Sequence, residues 1–175
     1  MFCGKTEELI RRVRRATIAR KKVMVFKHRL DKRYRSRNVA SHNGLVFKAK
    51  AVSSAPEILK QVKPETEIVA IDEAQWFGET LIPVCQELLD KGKNVIVAGL
   101  ATTYEGQPFE PIPHLMAIAD QVTKLSAVCS ACGKDAVFHI KKKEIDIDPL
   151  TITSKLVGEV DDYEARCRTC FKTRR

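Results

Sequence analysis

No stretch of this chain approaches the ~20 consecutive apolar residues that would span a bilayer, and its N-terminal region has no uninterrupted apolar core of the secretory type. Membrane insertion and export are not expected, and a cytoplasmic location is. Acidic residues are in deficit: 31 Lys and Arg against 22 Asp and Glu give a net charge of +9. That excess favours anionic partners such as nucleotides, nucleic acid or an acidic surface. Many long cations, however, simply lie along apolar ground with their heads in water. There is only one Trp, yet 44% of the 175 residues are hydrophobic, which excludes a disordered or fibrous chain. The length allows one well-buried domain with a small appendage, not two full domains.

A phosphate-binding motif is present but short of its beginning. The stretch MFCGKT ends in Gly4, Lys5 and Thr6, the close of a P-loop G-x-x-x-x-G-K-[ST], which joins a buried strand to a helix and cradles phosphates on backbone N–H groups. Counting back from Gly4 puts the first glycine two places before Met1. The expectation is a chain truncated inside its own motif, without its feeding central strand, and therefore poorly soluble or weak in ATP binding. The surviving residues keep their chemistry. Lys5 is placed to reach the β and γ phosphates, Thr6 to ligate magnesium, and the following helix to turn its positive end to the anion.

That helix is read over Thr6 to Arg20, where Leu9, Ile10, Val13 and Ala16 share a side and Glu7 and Glu8 suit the N-terminal dipole. Lys22 to Lys27 reads as a strand, so an α/β alternation begins. His28 to Gly44 is polar, basic and aperiodic, a long loop in which Asp31 and Arg33 are candidates for phosphate or magnesium. Leu45 to Val52 reads as a strand and Pro56 to Val62 as a helix. In EIVAIDEAQWF, Glu67 to Phe77, an apolar run ends abruptly in two acids, as when a central parallel strand delivers carboxylates to its C-terminal edge. Asp72 is the magnesium-holding candidate, and Glu73 can take a proton from an attacking hydroxyl. An Asp that merely caps a helix is the plainer reading.

Further on, a helix is expected over Glu79 to Lys91, a strand over Val95 to Leu100, and a loop over Ala101 to Pro113 that offers Tyr104 and Phe109 for stacking a base or packing the core. A helix over His114 to Asp120 and a strand over Val122 to Val128 then lead into the third motif. Cys129 and Cys132 form one C-x-x-C and Cys167 and Cys170 another, with 34 residues between them. Two such knuckles supply the four thiolates of a structural zinc site, with disulfides as the alternative. The excursion 133–166 is too polar in its middle to bury itself and is expected to form a tethered flap whose end, KLVGEVDDY, closes over a ligand.

Taken together, MFCGKTEELIRRVRR, Asp31 to Tyr34, IDEAQWF, the G-L segment before Pro108 and Phe109, VTKLSAVCSACG and VGEVDDYEARCRTC resemble the cytosolic, zinc-containing thymidine kinases over most of the chain. The resemblance implies a RecA-like α/β P-loop sheet at 1–127 and a small zinc-binding domain with a lasso-like loop at 128–175. It also implies transfer of the ATP γ-phosphate to the 5′-hydroxyl of thymidine with magnesium, in a homotetramer serving nucleotide salvage for DNA synthesis. By position, Glu73 matches the catalytic base. Gly4, Lys5, Thr6, Asp72, Ala74 and Gln75 match the phosphate and acidic motifs. Met1, Trp76, Leu100, Tyr104, Phe109, Leu156, Gly158 and Tyr163 match the nucleoside enclosure. Ala101 stands where the family usually carries Asp, and His139 and the longer flap also depart from it. The rivals are a nucleic-acid-stimulated ATPase or zinc ribbon, because D-E-A-Q resembles a helicase motif, and an inactive fragment. Against the first, the chain has no room for a second motor domain, so nucleic acid is not expected as a partner.

Overall fold

In the computed structural model, residues 2–31, 38–40, 46–142 and 162–173 are described. The chain opens on helix α1, Lys5–Ile18, entered through Gly4 in the left-handed region at φ 72°. Its buried face, Leu9, Ile10 and Val13, packs with Val25, Ala49 and Ala70 on one side of a sheet. Each such side chain contributes ~1.5–3 kcal/mol by leaving water.

The sheet is built from β1 (Val23–His28), β4 (Lys50–Val52), β5 (Ile68–Asp72) and β6 (Asn94–Val97), in the order β4-β1-β5-β6. Every pairing is parallel. Helices α2 (Ala55–Gln61), α3 (Leu81–Asp90) and α4 (Ile112–Ile118) supply Ile58, Leu88 and Leu115 to the opposite face, against Phe26, Val69 and Ile71. Because both faces are covered, the central strands read as unbroken apolar runs and not as alternations.

Several expectations are corrected in detail. The strand read at Leu45 to Val52 is two strands, β3 (Val46–Lys48) and β4, which enter different sheets. The loop expected over His28 to Gly44 contains β2 (Asn38–Ala40), the antiparallel partner of β3. The helix expected from Glu79 starts at Leu81, after a 3-10 stretch Ala74–Thr80 interrupted at Gly78, whose φ of 62° no helix accommodates. Pro83 then falls in the first turn of α3, where its missing N–H costs nothing. For the same reason the helix expected from His114 begins earlier, at Ile112, with Pro113 in its first turn.

The strand expected over Val122 to Val128 is reduced to β7, Ala127–Val128. Residues 121–126 carry no regular structure. They lie across a cavity from β6 and not beside it, so they have no ladder partner among the described residues.

β7 pairs with β8 (Asp135–Ala136), and β9 (Phe138–Lys141) with β10 (Tyr163–Arg166), both antiparallel. The chain closes on α5, Arg168–Lys172. This C-terminal unit meets the loop after β6, where Lys141 Nζ lies 4.2 Å from the centre of the Tyr104 ring.

Candidate active site and cysteine cluster

Parallel strands deliver their last residues to one edge, and the site is assembled there. Lys27, next to last in β1, lies in register with Asp72, the last residue of β5. Thr6, in the first turn of α1, donates its hydroxyl to Asp72 Oδ2 at 3.1 Å. This bond joins the G-K-T end of the phosphate motif to the acids at the strand end. Asp72 is 3% exposed, and burial, reinforced by the Glu73 charge, pushes its carboxyl up to about 7 against the opposing pull of Lys5 and Thr6. A hydroxyl and a buried carboxylate within one hydrogen bond are a hard-oxygen donor set that fits magnesium. A bound divalent cation would hold Asp72 ionised.

Glu73 follows at φ 50°, ψ 43°, a left-handed conformation rare outside glycine and characteristic of functional turns. It is 6% exposed. Gln75 Nε2 donates to Glu73 Oε2 at 2.6 Å, and Gln75 Oε1 accepts from the Leu100 amide at 3.1 Å. Gln75, fully buried, thus orients the carboxylate from the β6 side of the sheet. Ala74 is also buried and acts through its backbone, its N–H donating to the Ala98 carbonyl at 3.0 Å.

Beyond Glu73, Trp76 and Phe109 meet edge to face with ring centroids 5.8 Å apart, and Leu100 and Tyr104 pack against them. Trp76 Nε1 is buried with no hydrogen-bond partner among the described residues. An orphaned buried donor beside an aromatic wall fits a ligand or water that accepts from it. Tyr163 stands next to His139, ring centroids 5.6 Å apart, and burial drives His139 down to about 3, so that its imidazole is neutral.

The structure therefore brings together Thr6, Asp72, Glu73, Ala74 and Gln75, with Lys5 close enough to act on Asp72, and separately groups Trp76, Leu100, Tyr104 and Phe109. Asp31 is buried at the same sheet edge, and its side-chain and backbone oxygens take the Lys27 ammonium at 3.6 and 3.2 Å. Met1, Arg33, Leu156 and Gly158 lie outside the described residues. Three participants were not singled out from sequence. Lys27, 1% exposed, is signalled only by a cation closing an apolar run. Gly99 is required because a Cβ there would meet Ile112 Cδ1 at 2.5 Å and Gln75 Oε1 at 3.0 Å. Lys141, stacked over Tyr104, leaves no trace in the sequence pattern.

The cysteines converge as their spacing predicts. The sulfurs of Cys129, Cys132, Cys167 and Cys170 lie within 4.8 Å of one another. The first knuckle is the β7–β8 turn, in which the Gly133 amide donates to the Cys129 carbonyl at 2.9 Å. The second is the start of α5, where the Cys170 amide donates to Cys167 Sγ at 3.4 Å. Backbone N–H groups pull the Cys129 thiol down to about 6 and lower Cys167, while neighbouring thiols push Cys170 up to about 12. Four crowded thiols cannot all ionise without a cation, and this set fits tetrahedral zinc.

A parallel sheet with a G-K-T helix start and paired acids at the strand edge is the arrangement of a P-loop α/β protein that handles nucleotide phosphates, here with a four-cysteine cluster that could hold a metal ion. The thymidine kinase family model matches residues 1–171. Thymidine kinases of Rhodothermus sp. (strain ITI 518) and of Bdellovibrio bacteriovorus (strain ATCC 15356 / DSM 50701 / NCIMB 9529 / HD100) are each 48% identical over 172 residues. Those alignments cover 98% of this chain and 78% and 81% of the two relatives. The chain belongs to the thymidine kinase family.

Proposed function

We propose that the protein phosphorylates the 5′-hydroxyl of thymidine, taking the γ-phosphate of ATP with magnesium and supplying nucleotide salvage. The observation that carries this reading is the 3.1 Å bond from Thr6 to Asp72, which sets a phosphate-binding helix start beside the carboxylates that serve the acceptor. ATP is the phosphoryl donor, and Thr6 and Asp72 would hold magnesium, which would supply charge compensation at the phosphates.

Lys5 and the N–H groups opening α1 bind and orient the phosphates. Glu73, turned inward by its left-handed backbone and held by Gln75, accepts the proton of the 5′-hydroxyl as its oxygen attacks. Trp76, Leu100, Tyr104 and Phe109 enclose the base and sugar. Residues 128–175 act as a zinc-stapled domain that presents Tyr163 and the segment of Leu156 and Gly158 to the nucleoside. Met1 completes the enclosure, and Asp31 and Arg33 assist at the phosphates. On the family resemblance, the working form is a cytoplasmic homotetramer.

The test is chromatographic detection of thymidine 5′-monophosphate, with 5′-deoxythymidine, which lacks the acceptor hydroxyl, as control. Product from thymidine alone supports the proposal. No product, or ADP release equal with both nucleosides, would overturn it.

A further inference from the structure

Tyr104 packs on the aromatic wall, but it is carried by a loop, and that loop is closed into a short hairpin. Thr102 and Pro108 bridge as antiparallel partners. The Thr103 amide donates to the Gln107 carbonyl at 2.8 Å, and the Gly106 amide to the Thr103 carbonyl at 3.0 Å. The hydroxyl of Thr103, a buried residue, accepts from the Gln107 amide at 3.3 Å. At the base of the hairpin the Phe109 amide donates to the Ala101 carbonyl at 3.1 Å. Bonded in this way, residues 102–108 shift as a piece, and Tyr104 and Phe109 shift with them.

The C-terminal unit touches the hairpin at two points. Lys141 of β9 sets its ammonium 4.2 Å from the centre of the Tyr104 ring. Phe171 of α5 lies against the turn at Gly106, where φ is 80° and a Cβ would meet Phe171 Cε1 and Cζ at 2.9 Å. Glycine is required there twice over: the left-handed backbone disfavours other residues, and the ring leaves no room for a side chain. Phe171 is itself held in place. Its ring stacks on Phe138 with centroids 4.5 Å apart, and the Arg168 guanidinium lies 5.1 Å from the centre of the Phe138 ring. A stacked ring pressed against bare backbone transmits its position, because close-packed contacts pass strain on instead of absorbing it.

We infer that Phe171 is a positioning residue for the nucleoside wall: through Gly106 it fixes the 102–108 hairpin, and so the place of Tyr104, without touching the ligand. The inference rests on the reading of Trp76, Leu100, Tyr104 and Phe109 as the nucleoside enclosure. Lys141 steadies the Tyr104 ring, whereas Phe171 sets the backbone that carries it. Lys5, Thr6 and Asp72 stand on other elements, α1 and β5. Loss of the Phe171 ring therefore falls on nucleoside binding and not on ATP or the chemical step.

The test is Phe171→Ala in the full chain. Trp76 is the chain's single Trp and meets Phe109 edge to face, so its emission reports the wall before any nucleoside is added. Phe171→Ala is expected to shift that emission. It should also raise the thymidine Kd, read by Trp76 quenching, and the thymidine KM about tenfold, with kcat and the KM for ATP changed less than about twofold. Phe171→Met, whose flexible apolar chain can refill the gap at Gly106, is expected to bring the Kd back to within about threefold of the parent. Gly106→Ala should weaken thymidine binding as well, and its added effect should shrink in the Phe171→Ala background. An unshifted emission with unchanged Kd, or a loss of kcat that only follows a lowered Tm, would overturn the inference. So would a Phe171→Met variant no better than Phe171→Ala. Because the emission is read without nucleoside, a shift that persists when neither parent nor variant phosphorylates thymidine upholds the coupling and removes the kinase reading alone.

Discussion

Replacing Gly99 by Ala inserts one methyl group where β6, α4 and Gln75 converge. The added carbon would sit 2.5 Å from Ile112 Cδ1, 2.9 Å from Ile112 Cγ1 and 3.0 Å from Gln75 Oε1, against a comfortable separation of ~3.5–4.0 Å between carbons. Ile112 is buried at the start of α4 and lines the cavity along β6, so its side chain can yield only by turning into that space. Overpacking of this kind costs about 1–3 kcal/mol, and a domain of this length loses about 2–4 °C in Tm per kcal/mol. A fall near 6 °C is expected by differential scanning calorimetry. The same push falls on Gln75, which links the Leu100 amide to Glu73, so turnover should drop several-fold beyond what stability explains. Ile112→Val removes Cδ1, the closest contact, and in that background Gly99→Ala should cost at least 1 kcal/mol less. Strict additivity in this double-mutant cycle, or an unchanged Tm for Gly99→Ala, would refute the packing assigned to this corner.

Glu73→Gln keeps the volume, and its amide oxygen can still accept from Gln75, but it cannot take a proton. Turnover should fall about a hundredfold or more with ATP binding retained, and a loss under threefold would remove Glu73 from the role. Asp72 has a folded value raised from 3.8 to about 7, so the ligand-free fold favours its protonated form and loses stability as pH rises between those values. Asp72→Asn should therefore melt higher than the parent at pH 8, with the gap closing toward pH 4; a gap that is constant with pH would contradict the burial assigned to this carboxyl. Cys167→Ser, or a strong chelator, should release one equivalent of zinc and loosen the contact of Lys141 with Tyr104, read as lost near-ultraviolet ellipticity. Retention of full ellipticity without metal would show that the cluster is not a structural staple. Lys27→Met removes the cation beside the buried Asp31 carboxylate and should lower stability more than the double variant Lys27→Met/Asp31→Leu; equal losses in urea unfolding would argue against the pair.

The parts of this protein legible in its sequence are those in which a residue type has few physical uses. Cys129, Cys132, Cys167 and Cys170 converge as two knuckles must, and the run from Ile68 to Asp72 is a buried parallel strand ending in acid because polar groups can leave the core only at its edge. Partner-dependent features were not legible. Residues 122–126 have strand composition, but a strand exists only where a neighbour supplies the ladder. Lys27 looks like an ordinary terminal cation until the chain returns Asp31 to it. The need for Gly99 is set by Ile112 and Gln75, which only the fold brings near. Helix starts moved by two residues at Leu81 and Ile112 because Pro83 and Pro113 are as comfortable inside a first turn as before it.

The central claim is that the Thr6, Asp72 and Glu73 cluster transfers phosphate to a nucleoside. It is tested most directly by ADP release from the purified chain with ATP and magnesium, comparing thymidine, no acceptor and single-stranded DNA. Release stimulated by thymidine alone, and abolished in Glu73→Gln, is the predicted result. Stimulation by single-stranded DNA, or none by thymidine, would contradict the account.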